Sequence, residues 1–275
     1  MSKTLLTARL DMAESLRARW FLLYSLIFGG IVVLLLIFGL TESRVMGFTG
    51  LSRLMVTYIQ LSMAILPVFI LITTVRSVAG DREAGVFEYM LSLPVPLSAW
   101  YWGKLAGRFA VVFVPVFLAL AAAVAWGLVR GLDVPWSHFL YYSGLLLSLC
   151  LCFLGFAFLI SSYARSSDMA QSSAFMLWLF MLLFLDLILL GVLIREQVPS
   201  DIIIALTLVN PLQVFRTASM MLFDPQLVLL GPAAFVILDH FGTTGYVWWA
   251  LFYPAAVGLL AAALGYRRFR SGDLP

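Results

Sequence analysis

Residues able to do chemistry are few in this 275-residue chain, and they are badly spaced for it. There are two histidines, His138 and His240, so a three-histidine metal site cannot form within one copy. Cys150 and Cys152 stand two apart inside an apolar run. On a helix that spacing turns the thiols about 200° from one another, which suits buried apolar filler better than a shared ion. The methionines Met46, Met220 and Met221, with Met169, Met176 and Met181, are soft enough to handle Cu(I), but they are also ordinary packing material, and packing is the better reading. No G-x-S-x-G, H-E-x-x-H, C-x-x-C or G-x-x-x-x-G-K-[ST] pattern occurs. The chain therefore reads as a non-enzyme that binds no cofactor directly. One acid, Asp186, lies deep in an apolar run. A carboxylate in hydrocarbon is costly unless paired, protonated or wet, so Asp186 is a candidate pathway residue. A shift of its span toward the outer surface would explain it equally.

The elements that hold these residues are long and apolar. The chain is 63% hydrophobic and 11% charged, against about 45–50% and 25% in soluble domains. An all-α integral membrane protein follows. Six nearly uncharged runs, 20–40, 54–75, 109–129, 139–164, 169–194 and 241–266, each exceed the roughly 18–20 residues a transmembrane helix needs. They lack the alternation of barrel strands. Twelve Lys and Arg fall on the N-terminal side of the membrane and five on the other, which predicts both termini in the cytoplasm. The net charge of +3 reflects that bias, and no basic run points to nucleic acid. No apolar stretch starts early enough for a signal peptide. The whole chain, 1–275, reads as one transmembrane domain.

Three polar or interrupted stretches remain. Along 1–19, Leu5, Leu6, Leu10, Met12, Ala13, Leu16 and Trp20 share one arc of a helix, with Thr4, Thr7, Asp11, Glu14 and Ser15 opposite. That pattern predicts an interfacial helix. In the cytoplasmic loop 76–108, Asp81 is placed to cap a short helix that Pro94 and Pro96 end near Ser92. Ser98 is placed to cap the next helix, and Trp100, Tyr101 and Trp102 suit the headgroup level. Glu83 and Glu88 then face water or a partner. The stretch 195–240 is cut into pieces too short to span, which predicts re-entrant or interfacial outer helices. Asp201 caps one, Asn210 with Pro211 begins another, and Gly231-Pro232 opens a third that ends near Gly242. The rival is a seventh span over 222–238.

The run Asp81-Arg82-Glu83-Ala84-Gly85-Val86-Phe87-Glu88-Tyr89-Met90-Leu91-Ser92-Leu93-Pro94-Val95, followed by Gly103-Lys104-Leu105, resembles the signature loop of ABC-2 type permeases. Val86 stands where that family usually has Thr. Six spans, an N-terminal interfacial helix and short outer helices also match, so the resemblance covers essentially the whole chain. The element from Asn210 to Arg216 is similar to one in the NosY-type branch, whose permeases serve nitrous oxide reductase maturation. The resemblance implies a homodimer in the bacterial inner membrane, with two copies of a separate ATPase subunit that supply all ATP hydrolysis. It assigns Asp81, Arg82, Glu83, Gly85, Phe87 and Glu88 to the coupling helix that contacts the ATPase. It assigns Asn210, Pro211, Phe215 and Arg216 to contact with a periplasmic partner, with copper-site or sulfur-species delivery as the task. The alternatives are a relay that passes no solute and an exporter of an unrelated substrate.

Overall fold

The computed structural model describes residues 3–17, 19–39, 50–92, 95–131, 133–195, 205, 207–221 and 232–271. They form helices joined by short turns, with no strand among them. In order they are α1 (Lys3–Arg17), α2 (Arg19–Gly39), α3 (Gly50–Thr74), α4 (Arg76–Glu83), α5 (Val86–Leu91), α6 (Leu97–Val129), α7 (Trp136–Tyr163), α8 (Ser167–Arg195), α9 (Pro211–Met221) and α10 (Pro232–Ser271). Among the described residues, four helices are long and apolar enough to cross a membrane: Thr57–Glu83, Leu97–Val129, Trp136–Tyr163 and Gly242–Ser271. They cover the expected runs 54–75, 109–129, 139–164 and 241–266. The runs 20–40 and 169–194 fall on α2 and α8. Asp201, Met46 and most of the rival span 222–238 lie outside the described residues, as do the side chains of Asp186 and His240.

Glycine decides which helices touch most closely. Gly144 of α7 faces Leu251 of α10, Gly155 faces Gly258, and Leu159 faces Gly265. A methyl group on Gly155 would stand 1.9 Å from the Gly258 carbonyl oxygen, so the two backbones are in direct contact, as small residues allow between helices in lipid. Beside this seam Ser148 Oγ accepts a hydrogen bond from the Ala255 N–H at 3.0 Å. Residue numbers climb together along both helices, so α7 and α10 run parallel. Cys150 and Cys152 are both buried in α7.

The second glycine seam is Gly103-x-x-x-Gly107 on α6. There a Cβ would meet the Thr4 and Ala8 carbonyl oxygens of α1, each at 2.7 Å. The helix predicted over 1–19 is present, but its polar arc is the one turned to protein. Ala8, Asp11 and Ser15 are buried on α6, while Leu5, Leu6, Leu10 and Leu16 are exposed. The physical reason is size: only the small and short polar side chains can follow the backbone into a glycine groove.

At the opposite end of the bundle, α9 begins as the sequence predicts. Pro211 opens it, and Asn210 Oδ1 accepts from the Leu212 N–H at 3.0 Å. Pro232 likewise opens α10, and Gly242 breaks its helix with φ 65°. Backbone groups near α9 are satisfied by ring donors. Tyr142 donates to the Ser219 carbonyl, Tyr246 to Val214, Trp249 to Leu208 and Tyr253 to Val209. Short helices are tolerated at membrane depth when buried in protein in this way.

Candidate functional site

The loop between α3 and α6 is built on a break in the hydrogen-bond pattern of the second long helix, at Val75. Val75 separates α3 from α4 and supplies no capping side chain. The first amides of α4 need acceptors. Ser161, buried in α7, provides one: its Oγ accepts from the Val78 and Ala79 N–H groups, each at 2.9 Å. The carbonyl side is met from α6. Lys104 Nζ donates to the Ser77 carbonyl oxygen at 3.0 Å, and Arg108 Nη1 donates to that of Thr73 at 3.4 Å. A helix break with a serine hydroxyl on one side and cations on the other is held rather than loose.

Lys104 is 8% exposed and fully engaged. Besides Ser77 it pairs with Asp81 and lies 4.9 Å from the Trp100 ring centroid. Asp81 is therefore not the cap of a helix running to Ser92. It sits in α4, because the helix of the second span continues past it. Arg108 pairs with Asp11 of α1 at 3.1 Å. Burial pushes the Asp11 carboxyl above its ordinary range, with Arg108 and then Lys104 pulling against that rise. Arg82 donates to the Ala164 carbonyl at 3.1 Å, Ser167 donates to Glu83, and Arg76 reaches Gln171 and Asp168. α4 is thus tied to α6, to the end of α7 and to the start of α8.

Gly85 ends α4 with φ 67°, a left-handed conformation that favours glycine. The chain then forms α5, six residues long. Phe87 is its buried anchor. Its ring is 5.2 Å from Trp100 and 5.2 Å from Phe269, which stack on each other at 5.3 Å. Phe269 also stacks on Tyr101 at 5.8 Å, and Tyr101 donates to the Ala262 carbonyl at 2.9 Å. Trp100 and Tyr101 are accordingly buried, not displayed at headgroup level, because the last turn of α10 covers them. Trp102 is half-buried. Helix α6 starts at Leu97 with Pro96 in the cap position, so Ser98 lies inside its first turn and makes no cap.

Of the predicted coupling residues, Arg82, Glu83, Gly85 and Glu88 are exposed, together with Tyr89, while Asp81 and Phe87 turn inward. The predicted outer contacts are placed differently. Pro211 and Phe215 are buried in the bundle and Asn210 Nδ2 donates to the Met181 carbonyl at 2.7 Å, while Arg216 is half-buried. Sequence reasoning missed Ser161, the Asp11–Arg108 pair and Phe269. Gly103-x-x-x-Gly107 was the legible signal for the α1 seam. Nothing local marks Ser161 or Phe269.

Long apolar helices, two glycine seams and a braced polar loop define a multi-pass helical membrane protein. The model of the ABC-2 family transporter protein matches residues 5–274, and the chain belongs to that family. It is 27% identical over 223 residues to a protein of Pseudomonas aeruginosa named as a probable ABC transporter permease protein NosY, covering 79% of this chain and 81% of that one. It is 25% identical over 267 residues to a protein of Stutzerimonas stutzeri with the same name, covering 95% and 96%. Membership makes the chain an ABC transporter permease, and the family implies an ATPase partner.

Proposed function

We propose that this chain is the membrane subunit of an ATP-driven machine of the bacterial inner membrane. It works as a homodimer with two ATPase subunits, crosses the membrane six times and keeps both termini in the cytoplasm. α5 is the coupling helix. The observation that carries this reading is the form of the loop: a six-residue helix pinned through Phe87, with Glu88 and Tyr89 exposed, beside a helix break at Val75 braced from α6, α7 and α8. Such a helix offers a small grip on a stiff mount, and motion of a docked subunit passes into the spans as rigid-body rotation. ATP binds and reacts in the partner; this chain supplies no phosphate loop.

Along the NosY-type branch the work goes into copper-site assembly of nitrous oxide reductase through a periplasmic protein. The burial of Pro211 and Phe215 leaves the half-buried Asn210 and Arg216 as the residues of that element within reach of such a partner. A solute path has a candidate wall in the groove of about 430 Å³ between α3 and α8, lined by Val68, Ile72, Gln171, Phe175 and Trp178. Asp186 is further along α8 and is kept as a candidate pathway residue. Relay without solute is the second reading. It is favoured by the parallel α7–α10 pair, which joins the Phe87 box to α9 through Tyr142 and Tyr246.

The test is co-purification in mild detergent of the full chain with its ATPase, comparing wild type with Glu88→Lys combined with Tyr89→Ala. The variant is expected to bind the ATPase at least about tenfold more weakly, read as a clear loss of co-purified ATPase. An unchanged yield would remove α5 from the docking surface.

A further inference from the structure

Six residues are too few to hold a helix by their own hydrogen bonds, since isolated helices shorter than about 12–15 residues are marginal in water. The position of α5 is therefore set by what it leans on. Among the described side chains of α5, Phe87 is the buried one, and the walls around that ring are Trp100 of α6 and Phe269 of α10. Trp100 follows from the same loop. Phe269 comes from the last turn of α10, and it is 1% exposed although its neighbours Arg268, Arg270 and Ser271 are open to solvent. It touches Phe87, Trp100 and Tyr101 together. Tyr101 in turn is fixed to α10 by its hydrogen bond to Ala262 and packs on Phe158 of α7 at 5.2 Å.

We infer that the last turn of α10 is part of the coupling apparatus, with Phe269 the positioning residue that sets the angle of α5 for the ATPase. The inference rests on the reading of α5 as the docking helix. Force entering at α5 then reaches the final span directly through Phe87 and Phe269, besides the covalent route through α4 and α6. α10 is locked to α7 by the Gly155–Gly258 contact, so these two helices take up the motion as one body. Removing the Phe269 ring frees Phe87 on one side, and α5 loses its fixed presentation while the glycine seams stay intact.

The experiment uses the full chain in lipid nanodiscs and the ATPase subunit that co-purifies with it, reading binding affinity and the thermal unfolding of the permease alone. Phe269→Ala is expected to weaken ATPase binding roughly tenfold and to lower the melting temperature of the isolated permease through the cavity it leaves, with Phe269→Tyr close to wild type in binding. If Phe269→Ala does not fold, Phe269→Leu decides, since it keeps the site apolar and removes the ring stack; a loss of about threefold is expected. Wild-type affinity in the folded Phe269 variant, alongside loss in Glu88→Lys with Tyr89→Ala, overturns this inference and leaves the docking reading standing. Wild-type affinity in the Glu88 and Tyr89 variant overturns the docking reading and the inference with it.

Discussion

Asp11 and Lys104 carry opposite charges into the same seam, and each is held for a different reason. Lys104 has three partners and uses its donors fully. Asp11 has one strong partner, Arg108, and its burial outweighs that partner, so its folded pKa lies above the ordinary 3.8. The sign follows from linkage. A carboxyl whose folded pKa is raised binds its proton more tightly in the folded state, so its contribution is complete below the unfolded value and is lost as pH rises through the folded one. Docking of α1 on α6 is expected to strengthen on acidification. Melting temperature of the solubilised chain, followed between about pH 8 and pH 4, checks this against Asp11→Asn, which should flatten the α1-dependent part. A steeper profile in the variant would contradict it. Asp11 was legible as a polar residue on a helix but not as a buried one, because burial depended on the groove at Gly107 in a helix nearly a hundred residues away.

At the scale of elements, the glycine seams set the spacing and the capped ends set the length. Local signals were readable where cap and breaker lie within a few residues, as at Asn210-Pro211, Pro232 and Gly242. They were not readable where the partner is distant. The cap of α4 is Ser161, and the cover over Trp100 and Tyr101 is Phe269. An aromatic residue near a membrane edge can face headgroups or a neighbouring helix, and only that neighbour decides. Gly155→Ala is expected to force α7 and α10 apart, since its new methyl would meet backbone at 1.9 Å that no side-chain rotation can relieve. A loss of about 3 kcal/mol or more is expected, at the upper end of overpacking. Gly29→Ala has open space around it and is expected to leave stability within about 1 kcal/mol, or raise it slightly through helix propensity. Denaturation of the two variants in the same detergent separates them. Equal stability would mean that the seam yields.

For the whole molecule, the start of α1, the loop around α5, the turn between α7 and α8 and the end of α10 gather at one end of the bundle. Arg268 lies 5.7 Å from the Tyr163 ring, and Phe269 touches Phe87. Most Lys and Arg of the chain fall in these segments, the bias that marks the side left behind during insertion. Single cysteines at Leu5→Cys, Tyr89→Cys and Ser271→Cys are expected to react with an impermeant thiol reagent from the same face of sealed vesicles. Cys150 and Cys152 stay silent because they are buried. Labelling of any one of the three from the opposite face would break the arrangement.

The box around Phe87 has a consequence for how the protein is made. Its far wall is contributed by α10, far along the chain from Phe87. At roughly 5–20 residues per second, Phe269 leaves the ribosome on the order of 10–40 seconds after Phe87. Through that interval α5 has its sequence but not its seat. Ser161 must also arrive before α4 is capped. Completion of the box is therefore a late event in synthesis, because α5 acquires its seat only after α10 has been made.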